Sequence, residues 1–514
     1  MEKQTFLKGI LVLVVGSIIA KALGAVYRIP LTWILGAEGL GVYQLVFPVF
    51  SLLLVLSSTA VPTALSKIIA SENSEVNCKK ILRVSIVALF IVGFIFSVVL
   101  FALSGVIANF QGNPKATLPY MAIAPSLVIV SVISAFRGYF QGKLNMTPTA
   151  VSNIVEQLFK LIFGLTLSFL LIPQGLEFGV LGAVLGVTLS EFVTLGLLTI
   201  TYLVEKKKGS IHNEKITIST KQVLKNLAKT AFPIIVANII LPISLFLDSL
   251  LVVNILLSSG FTASQSTILW GLDSGVVTSI INLPVVFTLQ VATCIVPNLT
   301  SDRSQISKRV NQSFLISCAI SIPCALAVFV LAPQILSVLY SGTFSSTVID
   351  EMGVATKLLS YSSGLIILTA ILQTQNATLQ GLGHLKIPVI NMSLAVILKL
   401  VFVFTLIQNP ELNIFGLMIA KYVFFATVVC LNTIYMVRKG YKINRMKEIF
   451  VSLLSSISMA MTILVTKNFI TGFSPIIGLL VLICVGVIVY SVNFLCLLPE
   501  KNYLRLIKFR KRSL

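Results

Sequence analysis

Long apolar runs alternate with short polar links along the whole chain. A helix needs about 20 mostly apolar residues to cross the hydrocarbon layer of a bilayer. About fourteen stretches meet that length, at 6–27, 43–66, 84–108, 118–139, 149–172, 178–203, 230–253, 274–297, 313–340, 353–375, 387–407, 412–436, 449–469 and 474–498. The longest hydrophilic link is EKKKGSIHNEKITISTK, residues 205–221, and no soluble domain is inserted between the runs. The pattern predicts an all-α polytopic membrane protein.

The polar links differ in charge by turns. Lysine and arginine collect at the two ends and in the even-numbered links: Lys3 and Lys8, Lys79, Lys80 and Arg83, Arg137 and Lys143, the 206–208 run, Arg303, Lys308 and Arg309, Lys386, RKGYKINRMK from Arg438, and RLIKFRKR from Arg505. The intervening links show Lys115, Lys357 and Lys467. Cytoplasmic loops carry the excess of Lys and Arg. Both termini are therefore expected in the cytoplasm, which an even number of crossings requires.

The chain also repeats itself. QGKLNMTPTAVSNIVEQLFKLIF at 141–163 is matched by QGLGHLKIPVINMSLAVILKLVF at 380–402. AVPTALS at 60–66 is matched by CIVPNLT at 294–300, and TYLVEKKKG at 201–209 by IYMVRKG at 434–440. Three matches in one order indicate an internal duplication. Each copy holds six helices, so both enter the membrane from the same side, and their pseudo-two-fold axis is expected along the membrane normal. The expected divisions are a six-helix lobe at 1–210, a second at 211–440, and two extra helices with a basic tail at 441–514. The opening KQTFLKG…ILVLVVGSII…AKA imitates a signal peptide, but helix one is half of a matched pair, so it is expected to be retained.

Composition agrees and narrows the function. The chain is 56% hydrophobic and 11% charged, against about 25% charged in soluble domains. The net charge of +21 follows topology and does not gather on one face, as nucleic-acid binding would demand. The seven cysteines form no CxxC, and there are two histidines, His212 and His384. Neither a disulfide framework nor a metal centre is expected. The acids of the outer links (Glu38, Glu177, Asp350, Glu351 and Glu411) have no histidine beside them, so no catalytic constellation is recognisable.

Charges inside the apolar runs are the candidate chemistry, because an intramembrane charge usually faces a partner or a wet cavity. Lys21 and Arg28, seven apart, share one face of a helix about 10 Å apart along its axis. Snorkelling explains Arg28 by itself but not the deeper Lys21. Glu156 and Lys160 have the Glu-first i,i+4 spacing of a helical ion pair, which is either a self-neutralising structural pair or a functional one. The repeat mate of Lys160 is Lys399, with Ala395 in place of the acid, so Lys399 must find another carboxylate or face a cavity for an anion. Asp248 follows Pro233 and Pro242 in one run. Aligning Lys8 with Lys229 sets it beside the counterpart of Arg28. An Arg28–Asp248 gate near the outer mouth and an ion-titrated Asp248 are both open readings. Glu191 and Lys421 read as packing or lining charges.

The stretch KALGAVYRIPLTWILGAEGLGVYQLVFPVFSLLLVLSSTAVPTALSKIIA, residues 21–70, resembles the opening of the stage V sporulation protein B type of polysaccharide-transport proteins. These are grouped with the lipid II flippases in the multidrug/oligosaccharidyl-lipid/polysaccharide exporter superfamily. KQTFLKG, AFPIIVANIILPISLFLDSLLV and INLPVVFTLQVATCIVPNL resemble the same family. The resemblance implies two six-helix lobes working by alternating access, a basic cavity for a lipid-linked pyrophosphoryl sugar, and two extra helices grooved for a polyprenyl tail. Lys21, Leu23, Gly24 and Arg28 take the places of its cation-x-Leu-Gly…Arg pattern, with lysine for arginine and one extra residue between the cations; the further arginine often found in helix two is missing here.

The expected function is therefore a flippase for a polyprenyl-pyrophosphate-linked sugar, such as lipid II or a related polysaccharide unit, in the bacterial cytoplasmic membrane. Lys21, Arg28, Lys160 and Lys399 are the expected cavity cations, and Asp248 and Glu156 the gating or ion-coupling groups. No cofactor is expected; a coupling ion would be a proton or sodium. The expected partners are the lipid-linked substrate and the bilayer, and the chain is expected to act as a monomer. A cation-exporting drug transporter of the same superfamily is the main alternative, and it calls for an acidic cavity. A polytopic membrane enzyme is the other, and it calls for a general acid or base at a membrane face.

Overall fold

The computed structural model describes residues 6–208, 218–288, 306–344, 349–441, 446–470 and 472–497. Lys3, His212, Cys294, Arg303, the CIVPNLT motif, residues 442–445 and the basic run from Arg505 lie outside the described residues. The described residues form helices joined by short turns, with no strand among them. Twelve helices are long and apolar enough to cross a membrane, or thirteen if the pair Glu351–Ser362 and Leu365–Gly381, bent by 44°, counts as one span.

The first of these stretches, Val12–Ala70, is 59 residues long. At about 1.5 Å per residue it would reach about 88 Å, against a hydrocarbon core of about 30 Å. It therefore holds two crossings. Its regular part, α1 (Phe6–Leu54), breaks at Gly36, where φ is 65°. Nothing lies within 4 Å of where a Cβ on Gly36 would stand, so glycine serves conformation there and not space. Among the described residues this division adds one crossing to the twelve or thirteen spans, close to the number expected from length.

The chain folds into two structural units. One is Met1–Gly275 with Leu406–Ile414; the other is Val276–Thr405 with Phe415–Leu514. The first unit contains α1, α2 (Val61–Ala70), α3 (Glu75–Phe110), α4 (Thr117–Gly142), α5 (Thr147–Leu171), α6 (Leu176–Lys208), α7 (Thr220–Asn238), α8 (Ile240–Ser258) and α9 (Ala263–Trp270). Caps set several starts: the side chains of Ser74 and Ser219 accept from the backbone N–H of Asn77 and Gln222, and Thr262 forms a capping box with Gln265. Small residues let α1, α5 and α6 approach closely, as is usual between membrane helices. A methyl on Gly16 would lie 2.8 Å from Ala150 Cβ, and one on Gly164 would lie 2.6 Å from the Tyr27 hydroxyl.

In the same unit α8 and α9 dock on α1 and on the turn after α3. Gln111 Nε2 donates to Ser249 Oγ at 3.0 Å and to Leu45 O at 3.1 Å, while Tyr120 Oη lies 2.8 Å from Gln111 Oε1. Asn113 Nδ2 donates to Thr267 Oγ1 at 2.8 Å. Glu38 accepts from Lys115 at 2.8 Å and from Ser264 at 2.7 Å. These polar contacts satisfy one another and latch one end of the unit.

The second unit is built around α10 (Ile306–Tyr340), with α11 (Glu351–Ser362), α12 (Leu365–Gly381), α13 (Lys386–Ile407), α14 (Ile414–Arg438), α15 (Met446–Lys467) and α16 (Pro475–Leu497). The last two helices pack on α10 through Leu331, Met459, Ile463 and Leu482. Tyr490 Oη donates to Ala319 O at 2.7 Å and ties α16 to α10.

The duplicated motif folds alike in both copies. Helix α4 ends at Gly142 and α12 at Gly381; the following left-handed residues are Leu144 and Gly383; the next helices start at Thr147 and Lys386. The offset is 239 each time (142 to 381, 144 to 383, 147 to 386). The turn's hydrogen bonds repeat too: Asn145 N to Phe140 O at 2.9 Å, and His384 N to Leu379 O at 2.8 Å. The second copy uses glycine at the left-handed position and the first a leucine with φ 57°, which costs about 1–2 kcal/mol. Leu144→Gly is accordingly expected to raise the thermal unfolding midpoint of the purified protein, or leave it unchanged, whereas Gly383→Leu lowers it.

Large apolar side chains remain exposed along whole helix faces, as with Phe90, Ile91, Phe94, Val98 and Phe101 on α3. A soluble monomer does not tolerate a continuous patch of that kind. The chain is a multi-pass membrane protein, and these faces meet lipid.

Candidate functional site

The intramembrane charges named from sequence fall in both units. Lys21, Arg28, Glu156, Lys160 and Asp248 belong to the first and Lys399 to the second. Each is placed by a helix that is otherwise apolar.

On α1, Lys21 is exposed and Arg28 half-buried. The helix is regular between them, so they stand about 10 Å apart along its axis. Gly24 lies between the two cations, and a methyl there would come 3.0 Å from Gln157 Oε1 of α5. The glycine thus brings α5, with its own charges, against the interval between Lys21 and Arg28. This gives the Lys-x-Leu-Gly…Arg pattern a physical meaning.

Lys160 stands on α5, and its ammonium is 5.2 Å from the centroid of the Tyr27 ring and 5.4 Å from that of Phe47. Tyr27 precedes the break at Gly36 and Phe47 follows it, so both arms of α1 hold the cation. Such contacts contribute about 0.5–2 kcal/mol each, with the larger figure for desolvated sites. Among the described residues Lys160 forms no ion pair. Ring faces do not use up the N–H donors of an ammonium, so those donors remain for an anion.

Glu156 does not pair with Lys160 as the i,i+4 spacing suggests. Its Oε2 lies 2.8 Å from Arg137 Nη2 of α4, and its Oε1 accepts from Gln157 Nε2 at 3.3 Å. Arg137 also donates through Nε to Ser152 Oγ at 3.0 Å. A bifurcated guanidinium meets a carboxylate and a hydroxyl with fixed geometry that a flexible ammonium does not match, which favours Arg137 over Lys160 as partner. The α4–α5 hairpin brings them together, and no local spacing signals it.

Asp248 is 1% exposed on α8, a helix that packs on α1. Its neighbour Ser249 accepts from Gln111. Gln111 joins Ser249 to Leu45, on the arm of α1 beyond the Gly36 break.

In the second unit Lys399 is 3% exposed on α13, with its ammonium 5.8 Å from the Phe424 ring of α14. Like its repeat mate it lies over an aromatic face, and Ala395 one turn earlier is fully buried. Lys421 Nζ is 3.5 Å from Thr278 Oγ1. The counterparts of Arg137 and Ser152 at the 239-residue offset are Asn376 and Asn391. Asn391 Nδ2 donates to Asn432 Oδ1 at 2.8 Å, and Asn432 Nδ2 donates to Asn376 Oδ1 at 3.2 Å. One place in the repeat thus carries an ionic cluster in the first unit and a neutral amide ladder in the second. Sequence reasoning did not anticipate that ladder; aligning the two copies at the 239-residue offset is the signal that finds it.

A family model described as "Polysaccharide biosynthesis protein" matches residues 6–264. Stage V sporulation protein B of Bacillus subtilis (strain 168) is 28% identical over 433 residues, covering 82% of this chain and 81% of that protein. Lipid II flippase MurJ of the same organism is 24% identical over 432 residues, covering 78% and 77%. Among solved structures, lipid II flippase MurJ in an inward closed conformation superposes with a TM-score of 0.70 at 15% identity, covering 96% of this chain and 98% of that one.

Proposed function

The chain belongs to the polysaccharide biosynthesis protein family, and on that premise we propose that it is a flippase of the bacterial cytoplasmic membrane for a polyprenyl-pyrophosphate-linked sugar. The observation that carries this reading is Lys160, held over Phe47 and over Tyr27, the neighbour of Arg28 in the chain. A pyrophosphate is recognised by fixed cations whose charge-assisted hydrogen bonds strengthen as water is excluded. Separated cations also release it, which transport requires.

In this reading Lys21, Arg28, Lys160 and Lys399 bind the diphosphate by turns during alternating access. The two six-helix copies, 1–210 and 211–440, are the moving lobes, and residues 441–514 serve the polyprenyl tail. Both termini are cytoplasmic. The contacts of Glu38, Asn113, Gln111 and Ser249 then lie at the outer end, and Arg28 and Asp248 form the gate that parts on opening. A cation exporter fits less well, because Lys21, Arg28 and Lys160 stand on α1 and α5 while Glu156, the acid beside them, is already neutralised by Arg137.

Expression in cells depleted of their lipid II flippase tests the cargo. Rescue of growth with restored precursor translocation supports lipid II. Failure of both, with the protein present in the membrane, assigns another lipid-linked unit or refutes the reading.

A further inference from the structure

A groove of about 360 Å³ lies between the start of α5 and the end of α6. Ligand sites usually measure about 300–1,000 Å³. Its apolar wall includes Val151 of α5 and Leu197, Ile200 and Val204 of α6. Asn145 and Glu205 line it as well, and Asn145 Nδ2 donates to Glu205 Oε1 at 2.8 Å. That bond ties the α4–α5 turn to the last turns of α6 and occupies the acid of the wall. From Leu197 to Val204 the helix rises about 10 Å, a third of a hydrocarbon core of about 30 Å.

The groove opens away from the cations of the candidate cargo site. At 3.6 residues per turn, Val151, Leu158 and Ile162 share the face of α5 opposite Lys160, and all three are exposed. On α6 Phe192 and Ile200 are exposed. Nothing lies within 4 Å of where a Cβ on Gly196, midway between them, would stand. These uncharged faces meet lipid. Cations gather where the groove reaches the polar links. Lys207 follows Ile200 by seven residues and so shares its face of α6. Lys143 precedes Asn145 by two residues in the α4–α5 turn, and Lys206 adjoins Glu205. All three lysines are exposed, and none forms an ion pair among the described residues.

We propose that this groove binds an anionic phospholipid of the surrounding bilayer. One acyl chain lies between Val151 and Ile200, and the headgroup phosphate meets Lys143 and Lys207. An apolar slot open to lipid fits a chain that the bilayer already orders along the helix axis. A rim of lysines whose neighbouring acid is occupied fits a headgroup of net negative charge. A zwitterionic headgroup brings its own cation, which the same lysines repel. The site stands whatever cargo the chain carries.

Photolabelling of the full chain in phosphatidylcholine nanodiscs tests it without any transport assay. The probe is phosphatidylglycerol with a diazirine in one acyl chain, and the labelled residues are read by mass spectrometry. Label is expected on the groove residues of α5 and α6. Excess phosphatidylglycerol should compete it away, and the same excess of phosphatidylcholine should not. Lys143→Gln with Lys207→Gln should lower the labelling about 5- to 30-fold, at about 1 kcal/mol for each lysine near an anionic surface. Ile200→Trp fills the slot and should remove the label with both lysines in place. The lysine pair decides the matter should Ile200→Trp fail to insert. Even labelling over all lipid-facing helices, equal competition by phosphatidylcholine, or unchanged labelling in the double lysine variant overturns the proposal. So does displacement of the probe by a polyprenyl phosphate at concentrations where phosphatidylglycerol fails to displace it.

Discussion

Lys160→Met is expected to abolish translocation of a lipid-linked pyrophosphoryl sugar while the protein still inserts and purifies normally. Methionine is unbranched like lysine and one atom shorter, so it keeps an apolar stem beside the Tyr27 and Phe47 rings and removes the ammonium with its charge and N–H donors. A hydrogen bond to a charged group contributes about 1.5–3 kcal/mol, so affinity for the diphosphate should fall about 10- to 150-fold. Lys160→Arg retains the cation and the stacking on ring faces and should keep a measurable fraction of activity. Lys21→Ala and Arg28→Ala should each abolish transport as well. Wild-type rates in all three charge-removing variants would show that the cations of α1 and α5 do not bind the cargo. The assay is transfer of a labelled lipid-linked sugar between leaflets, read beside membrane abundance.

The second large effect concerns the Arg137–Glu156 pair, with side chains 17% and 25% exposed. Removing one partner of a buried pair costs about 3–5 kcal/mol, because the other charge is left uncompensated. With both side chains partly exposed, about 2–3 kcal/mol is expected for Glu156→Met or Arg137→Met. The double substitution should recover most of that loss, since matched apolar side chains replace a buried pair at little cost. Thermal unfolding of the four proteins in detergent gives the cycle directly. Additive losses in the double variant would mean that the two side chains do not act as a pair.

The membrane class was legible because hydrophobic length alone decides it, and the duplication because Gln-Gly and Lys-Leu-x-Phe recur at one offset. The structure adds that the turns between them recur as well, down to the left-handed residues Leu144 and Gly383. The first two spans read as separate runs, 6–27 and 43–66. Their apolar ends are in fact joined in one stretch that breaks at Gly36, because helical propensity continues through the short polar link and a single glycine absorbs the turn. Individual charges were visible, but their partners were not. Spacing put Glu156 with Lys160; the α4–α5 hairpin puts it with Arg137. The rings that hold Lys160 come from both sides of the α1 break, and no local rule couples residues 27, 47 and 160.

The most direct measurement is leaflet-to-leaflet transfer of a polyprenyl-pyrophosphate-linked sugar in liposomes containing the purified full chain. The account predicts transfer above that of empty liposomes, lost in Lys160→Met and partly kept in Lys160→Arg. Transfer no faster than in empty liposomes, together with transport of an organic cation by the same preparation, would contradict it.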